Sequence, residues 1–240
     1  MNEQELNEQK PNEKRTISNV FLPLKVLISP SKAFDQLVHN PSLKGLIPLV
    51  ALILAAAAAA VYAFAGKIFL NINGETSLLA TSFFANWYTS AFLSTIFYLF
   101  LYWGVIASGL ALLSKTFGGK SAPWRSILVT LTCLLSVFAV LYLVRTLMYL
   151  ALPSIYFSQN SSWPPVSQSP EESSVLTLFN QNWSSLLIYQ FMNFFPWVAL
   201  AWLAVLGAVA IRALREISLT RASIVSVICI GIGIALFGLP

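Results

Sequence analysis

The chain has 240 residues, 57% of them hydrophobic and only 10% charged, with a formal net charge of +5. Ordinary globular domains are about 45–50% apolar and about 25% charged, so a soluble fold of this size could not cover its surface with so few charges. With a mean hydropathy of +0.74, this excludes a secreted, nuclear or free cytosolic protein, and the basic excess belongs to membrane loops rather than to nucleic-acid binding.

Residues 1–18 read as a disordered polar tail, with Glu3, Glu5, Glu8, Lys10, Glu13, Lys14 and Arg15 and no apolar periodicity to support a packed element. No apolar signal-peptide core lies near the start, so the first span is expected to serve as an uncleaved membrane signal. Residues 19–43 form an interfacial segment. Within it, Ser29-Pro30 reads as an N-cap followed by Pro at the first helical position. The short helix from Pro30 to Val38 would put Phe34, Leu37 and Val38 on one face, with Lys32 and Asp35 elsewhere. That is the pattern of a helix lying along the cytoplasmic membrane surface.

Residues 44–240 make up a membrane domain whose apolar runs cover about 45–65, 87–113, 127–152, 186–213 and 222–238. The first four exceed the roughly 20 residues that cross a hydrocarbon core of about 30 Å, and the fifth reaches that length only with Ala222, Ser223 and Gly238 included. The charges test the count independently. Lys10, Lys14, Arg15, Lys25, Lys32 and Lys44 precede the first run, Lys67 alone follows it, and Lys115, Lys120 and Arg125 follow the second. No base lies in Pro153 to Trp183, and Arg212 closes the fourth run, with Arg215 and Arg221 after it. This alternation puts the N-terminus in the cytoplasm and the C-terminus outside. The expected fold class is all-α: a polytopic membrane helix bundle of five transmembrane helices. Trp87, Tyr88, Tyr149, Trp183 and Tyr189 fall where an outer aromatic belt is expected.

Few residues could carry chemistry. One histidine, His39, can build neither a His-rich metal site nor a secure catalytic triad. Cys133 and Cys229 lie inside apolar runs and read as small buried hydrophobes. Phe117-Gly118-Gly119-Lys120-Ser121 echoes the end of a phosphate-binding loop, but Ser114 stands where that pattern needs Gly and a spanning helix precedes it. No cofactor, metal site or catalytic residue is expected. Arg145 is the one charge well inside a run, about two turns from the outer end, whereas Arg212 stands at the very end of its run. Its readings are snorkelling or lipid-phosphate contact, pairing with Glu171 or Glu172, and a transport or anion-binding role. Small residues recur at close-packing intervals: Ala55 to Ala60, Gly104 with Ser108, Gly207 with Ala204 and Ala208, and Gly231 with Ala235. They suit packing within one bundle or helix-mediated assembly. The outer loop, Ser158 to Ser174, is rich in Ser, Pro and Gln and reads as flexible.

The segment Leu27-Ile28-Ser29-Pro30-Ser31-Lys32-Ala33-Phe34, with Leu37 and Pro41, resembles the Pro-x-Lys-Ala-Phe stretch before the first span of many prokaryotic Yip1 domain proteins. Trp202, Gly207, the basic turn through Arg215, Ile217 and Ser218, and Arg221-Ala222 are similar to that family's last helical hairpin. The resemblance runs from about Leu24 to Leu239. It implies a five-span bundle without enzymatic activity, in a family whose eukaryotic members act in vesicle budding and bind prenylated Rab-type GTPases. The Asp-Leu-Tyr-Gly-Pro signature of eukaryotic members does not occur here, which favours a prokaryotic cytoplasmic membrane.

Two functions follow as expectations. In the first, a non-enzymatic membrane organiser uses Pro30, Lys32, Phe34, Lys120, Arg125, Arg145 and Arg215 to contact anionic headgroups, a membrane protein or a small-GTPase-like partner. The alternative is a transporter or permease subunit with Arg145 in an anion or lipid-headgroup role, for which broken helices and a polar midplane are expected.

Overall fold

The computed structural model describes residues 22–72, 75–78, 85–158 and 182–238. The polar tail at 1–18, Glu171, Glu172 and most of the outer loop fall outside them. The chain opens with two short helices, α1 (Leu22–Ile28) and α2 (Pro30–His39), then a 3-10 turn at Leu43–Gly45 leading into α3 (Leu46–Ala65). Strands β1 (Ile68–Ile72) and β2 (Glu75–Leu78) follow, then α4 (Ala85–Thr116), α5 (Trp124–Cys133), α6 (Ser136–Ala151), β3 (Ile155–Ser158), α7 (Leu187–Arg215) and α8 (Leu219–Phe237).

Five segments are long and apolar enough to cross a membrane: Leu43–Ala65, Thr89–Thr116, Trp124–Ala151, Leu187–Arg215 and Leu219–Phe237. They match the five expected runs. The third is the most enclosed, with 72% of its apolar window buried against 22–50% in the others. By its contacts the chain divides into two compact units, one of residues 1–54, 98–140 and 198–240, the other of 55–97 and 141–197.

In the first unit the buried faces follow helical spacing: Leu99, Tyr102, Ile106 and Leu110 on α4, Leu203, Leu206, Ala210 and Leu214 on α7, and Ala222, Val225, Cys229 and Ile230 on α8. Gly207 lets α7 and α8 approach closely. A Cβ there would collide with Ser226 Oγ, which donates to the Ala204 carbonyl at 2.8 Å. Gly104 and Gly231, by contrast, face open space.

The third span, expected as one helix over 127–152, is discontinuous between α5 and α6. Leu134 N bonds Leu131 O at 3.2 Å, Leu135 N bonds Thr132 O at 3.0 Å and Val137 N bonds Leu134 O at 3.2 Å, so the α-helical ladder tightens to three-residue turns. Thr132 Oγ1 donates to Leu128 O at 2.7 Å, Ser136 Oγ to Cys133 O at 2.8 Å and, from α4, Trp103 Nε1 to Leu131 O at 3.1 Å. In hydrocarbon, freed carbonyls need such donors, and Ser and Thr back-bonding bends helices.

In the second unit, Ala56, Ala57, Ala60 and Ala63 form one buried face of α3. The chain is mostly helical, as expected, and to the helices it adds a small three-stranded sheet of order β2-β1-β3 that the sequence reading did not include. β1 pairs antiparallel with β2, Phe69 opposite Leu78, and parallel with β3, Ile68 opposite Ile155. Backbone groups that leave a helix at the membrane edge find partners in this sheet. Its inner face carries Ile68 and Ile155, which with Leu152 and Trp183 form a core flanked by Phe64, Tyr149 and Tyr189. Trp183 is therefore not an outer-belt residue facing lipid: it is 1% exposed and donates to Pro153 O at 3.2 Å.

Candidate lipid and partner contact surface

Five alternating spans bring the segment up to Gly45, the α4–α5 connection and the α7–α8 connection to one side of the membrane. Among the described residues, that side carries nine cations (Lys25, Lys32, Lys44, Lys115, Lys120, Arg125, Arg212, Arg215 and Arg221) and two carboxylates, Asp35 and Glu216. All of the cations except Arg215 are exposed. The connection after α3 carries Lys67 and Glu75 in sequence.

Arg215 organises this basic side. It is 6% exposed, and its guanidinium donates from Nη1 to Lys120 O at 2.9 Å, from Nη2 to Ala111 O at 3.1 Å and from Nε to Ser114 Oγ at 3.3 Å. The Arg215 carbonyl in turn accepts from Lys120 N at 3.0 Å, and Ser114 O accepts from Gly119 N at 3.1 Å. The carboxyl ends of α4 and α7, each bearing partial negative charge, thus share one buried cation. A Cβ on Gly119 would lie 2.6 Å from Ser114 O and 2.8 Å from Arg215 Cβ, so the turn requires glycine.

Glu216, immediately past α7, holds φ +53, the left-handed conformation in which helices commonly end. Its carboxylate pairs with Lys120. The two side chains remain 64% and 71% exposed, where such pairs contribute at most about 1 kcal/mol. Ser218 caps α8 by accepting from Arg221 N at 3.4 Å.

Helix α2 sits where the spacing predicts, with Pro30 at its first position, but Ser29 makes no side-chain cap. Instead Ser29 N closes α1 on Lys25 O at 2.8 Å. The face expected to enter the membrane surface packs on the protein: Ala33, Phe34 and Leu37 are buried, α2 lies against α5, and Ser126 Oγ donates to Val38 O at 3.1 Å. Phe34 is 0% exposed and presents nothing to a lipid or partner, whereas Lys32 projects from the opposite face. His39 Nδ1 bonds the Asp35 carbonyl of its own helix at 2.7 Å.

Lys32, Lys120 and Arg125 are exposed, Pro30 is half-buried, and Phe34 and Arg215 are enclosed. These six lie in the first unit and Arg145 in the second. Arg145 is half-buried and by helical spacing shares a face of α6 with Tyr142 and Tyr149. One contributor escaped the sequence reading. Trp124, 71% exposed at the first turn of α5 beside Arg125, has the setting of an interfacial anchor, and its place next to a base at a span's start was the available signal.

A model of the Yip1 domain matches residues 24–239. No curated protein and no solved structure matches the chain.

Proposed function

The chain belongs to the Yip1 domain family, and on that premise we propose that it is a non-enzymatic multi-pass protein of a prokaryotic cytoplasmic membrane whose basic side faces the cytoplasm and binds anionic lipid headgroups. The supporting observation is the one-sided placement of exposed cations around the clamp that Arg215 makes between α4 and α7. An anionic leaflet attracts such a surface by roughly 1 kcal/mol per Lys or Arg near it. The attraction steers the same surface toward an acidic membrane protein or a small-GTPase-like partner at the membrane.

The test is a triple variant, Lys32→Gln, Lys120→Gln and Arg125→Gln, reconstituted in nanodiscs that mix phosphatidylglycerol with phosphatidylcholine. The phosphatidylglycerol carried through purification should fall, and the wild-type preference should weaken with salt. Equal lipid retention by variant and wild type, with unchanged copurifying proteins, would remove the basis of the proposal.

The discontinuity at Leu134–Leu135 favours a second reading, a permease subunit, because irregular backbone at membrane depth is a feature of transport sites. A solute flux in liposomes that disappears with Arg145→Leu would put this reading first.

A further inference from the structure

The second unit contains a lateral groove of about 710 Å³ between α6 and α7, within the range of about 300–1,000 Å³ typical of sites for single organic molecules. Val144, Met148 and Ala151 form one wall and Ile188, Phe191 and Phe194 the other, with Gln190 its polar member. Both walls belong to membrane-spanning segments. From Val144 to Ala151 the groove follows α6 for about 10 Å at 1.5 Å per residue. Ala151 is the last residue of α6 and the groove residue Leu187 the first of α7, so its mouth opens at the ends of the spans, at headgroup depth.

A cation stands at that mouth. Lys67 Nζ donates to the Leu150 carbonyl at 2.9 Å, and that carbonyl belongs to the peptide bond joining Leu150 to the groove residue Ala151. The ammonium has three N–H donors, so two remain for an anion. Lys67 is also the base that departs from the alternating charge pattern of the sequence. The geometry points to a bound glycerophospholipid with an acyl chain in the α6–α7 groove and its phosphate on Lys67. An apolar slot inside the hydrocarbon region with a fixed cation at its headgroup end complements both halves of an anionic lipid. This proposal does not depend on the basic surface of the first unit.

Native mass spectrometry of the full chain in detergent supplies the test, with dioleoyl-phosphatidylglycerol, dioleoyl-phosphatidylcholine or glycerol 1-phosphate added. Wild type should retain one phosphatidylglycerol in preference to phosphatidylcholine and should not retain glycerol 1-phosphate. Lys67→Met should reduce the preference about five-fold, the factor that one cation near an anionic lipid supplies, and Lys67→Arg should keep it. Ala151→Phe, which fills the groove from an exposed position, should reduce retention of both lipids. Leu147→Phe provides a second filling variant if the first does not fold. Lys120→Gln should leave this lipid in place. Equal retention by Lys67→Met and wild type overturns the proposal, as does unchanged retention by both filling variants. Competition by glycerol 1-phosphate as effective as that by the lipid also overturns it, since a free-phosphate site would then explain the data.

Discussion

Replacing Arg215 with methionine tests whether the basic side is held by a clamp or only by charge. Nη1 and Nη2 bond the carbonyls of Lys120 and Ala111 at 2.9 and 3.1 Å, and hydrogen bonds from a charged donor contribute about 1.5–3 kcal/mol each. The bond from Nε to Ser114 Oγ, at 3.3 Å, is longer than an ordinary N–H···O bond and adds little. Methionine fills much of the volume and removes the cost of burying a charge, but it strands the Lys120 carbonyl. The balance is a loss of about 2–4 kcal/mol. Equilibrium unfolding by SDS in mixed micelles, followed by far-UV circular dichroism, measures it. Arg215→Lys keeps the charge without the planar fork and should recover less than half of the loss. If Arg215→Lys matched wild type, or Arg215→Met stayed within about 0.5 kcal/mol of it, the range of ordinary surface substitutions, two carbonyls would not be held by this side chain and the clamp would be discarded.

Two further substitutions probe the interior of the first unit. Gly207→Ala drives a methyl group into Ser226 Oγ and should cost about 1–3 kcal/mol in the same titration, with Ser226→Ala restoring part of it; additive losses in the double variant would contradict the close approach of α7 and α8. Trp103→Phe removes the indole donor to Leu131 O and should cost about 1 kcal/mol, with faster hydrogen exchange at Leu134 and Leu135 than elsewhere in the third span; uniform exchange along that span would mean the break does not depend on the indole.

The spans were legible because a bilayer imposes a length, and each apolar run met it within a few residues of the observed helix. The sheet was passed over because its strands are short apolar pieces next to longer ones. Ile68 to Ile72 falls in the loop after the first run and drew no strand assignment, although Asn73-Gly74 stands between the paired residues Ile72 and Glu75 and is a strong two-residue hairpin signal. Phe34 and Leu37 were assigned correctly to one helix face but not to what covers it. Lipid and a neighbouring helix are equally apolar, so periodicity cannot separate them, and only the packing of α2 on α5 does. Arg215 was grouped with Arg212 and Arg221 because net charge distinguishes no member of a basic loop. What sets it apart is Gly119, whose missing Cβ leaves room for the arginine stem, and that relation spans 96 positions in the chain.

The polar groups that enter the spans follow a common rule. Trp103, Thr132 and Ser136 supply donors to carbonyls at the break in the third span, and Ser226 donates to the α7 backbone at Ala204. At the helix ends, Arg215 serves α4 and Lys67 serves α6. The Cys133 carbonyl at the break and the Leu150 carbonyl at the end of α6 would lack a partner in hydrocarbon at a cost of several kcal/mol, whereas Leu128 and Ala204 lie inside helices and their carbonyls gain a second donor. This separates two kinds of charge that composition alone merges. Arg215 is committed to backbone and its removal should be read as lost stability, whereas Lys32, Lys120 and Arg125 remain exposed, so their neutralisation should change what binds at the membrane surface and leave the SDS midpoint nearly unchanged. A variant set in which both groups altered stability alike would mean that the exposed cations are structural too, and the basic side would then lose its standing as a contact surface.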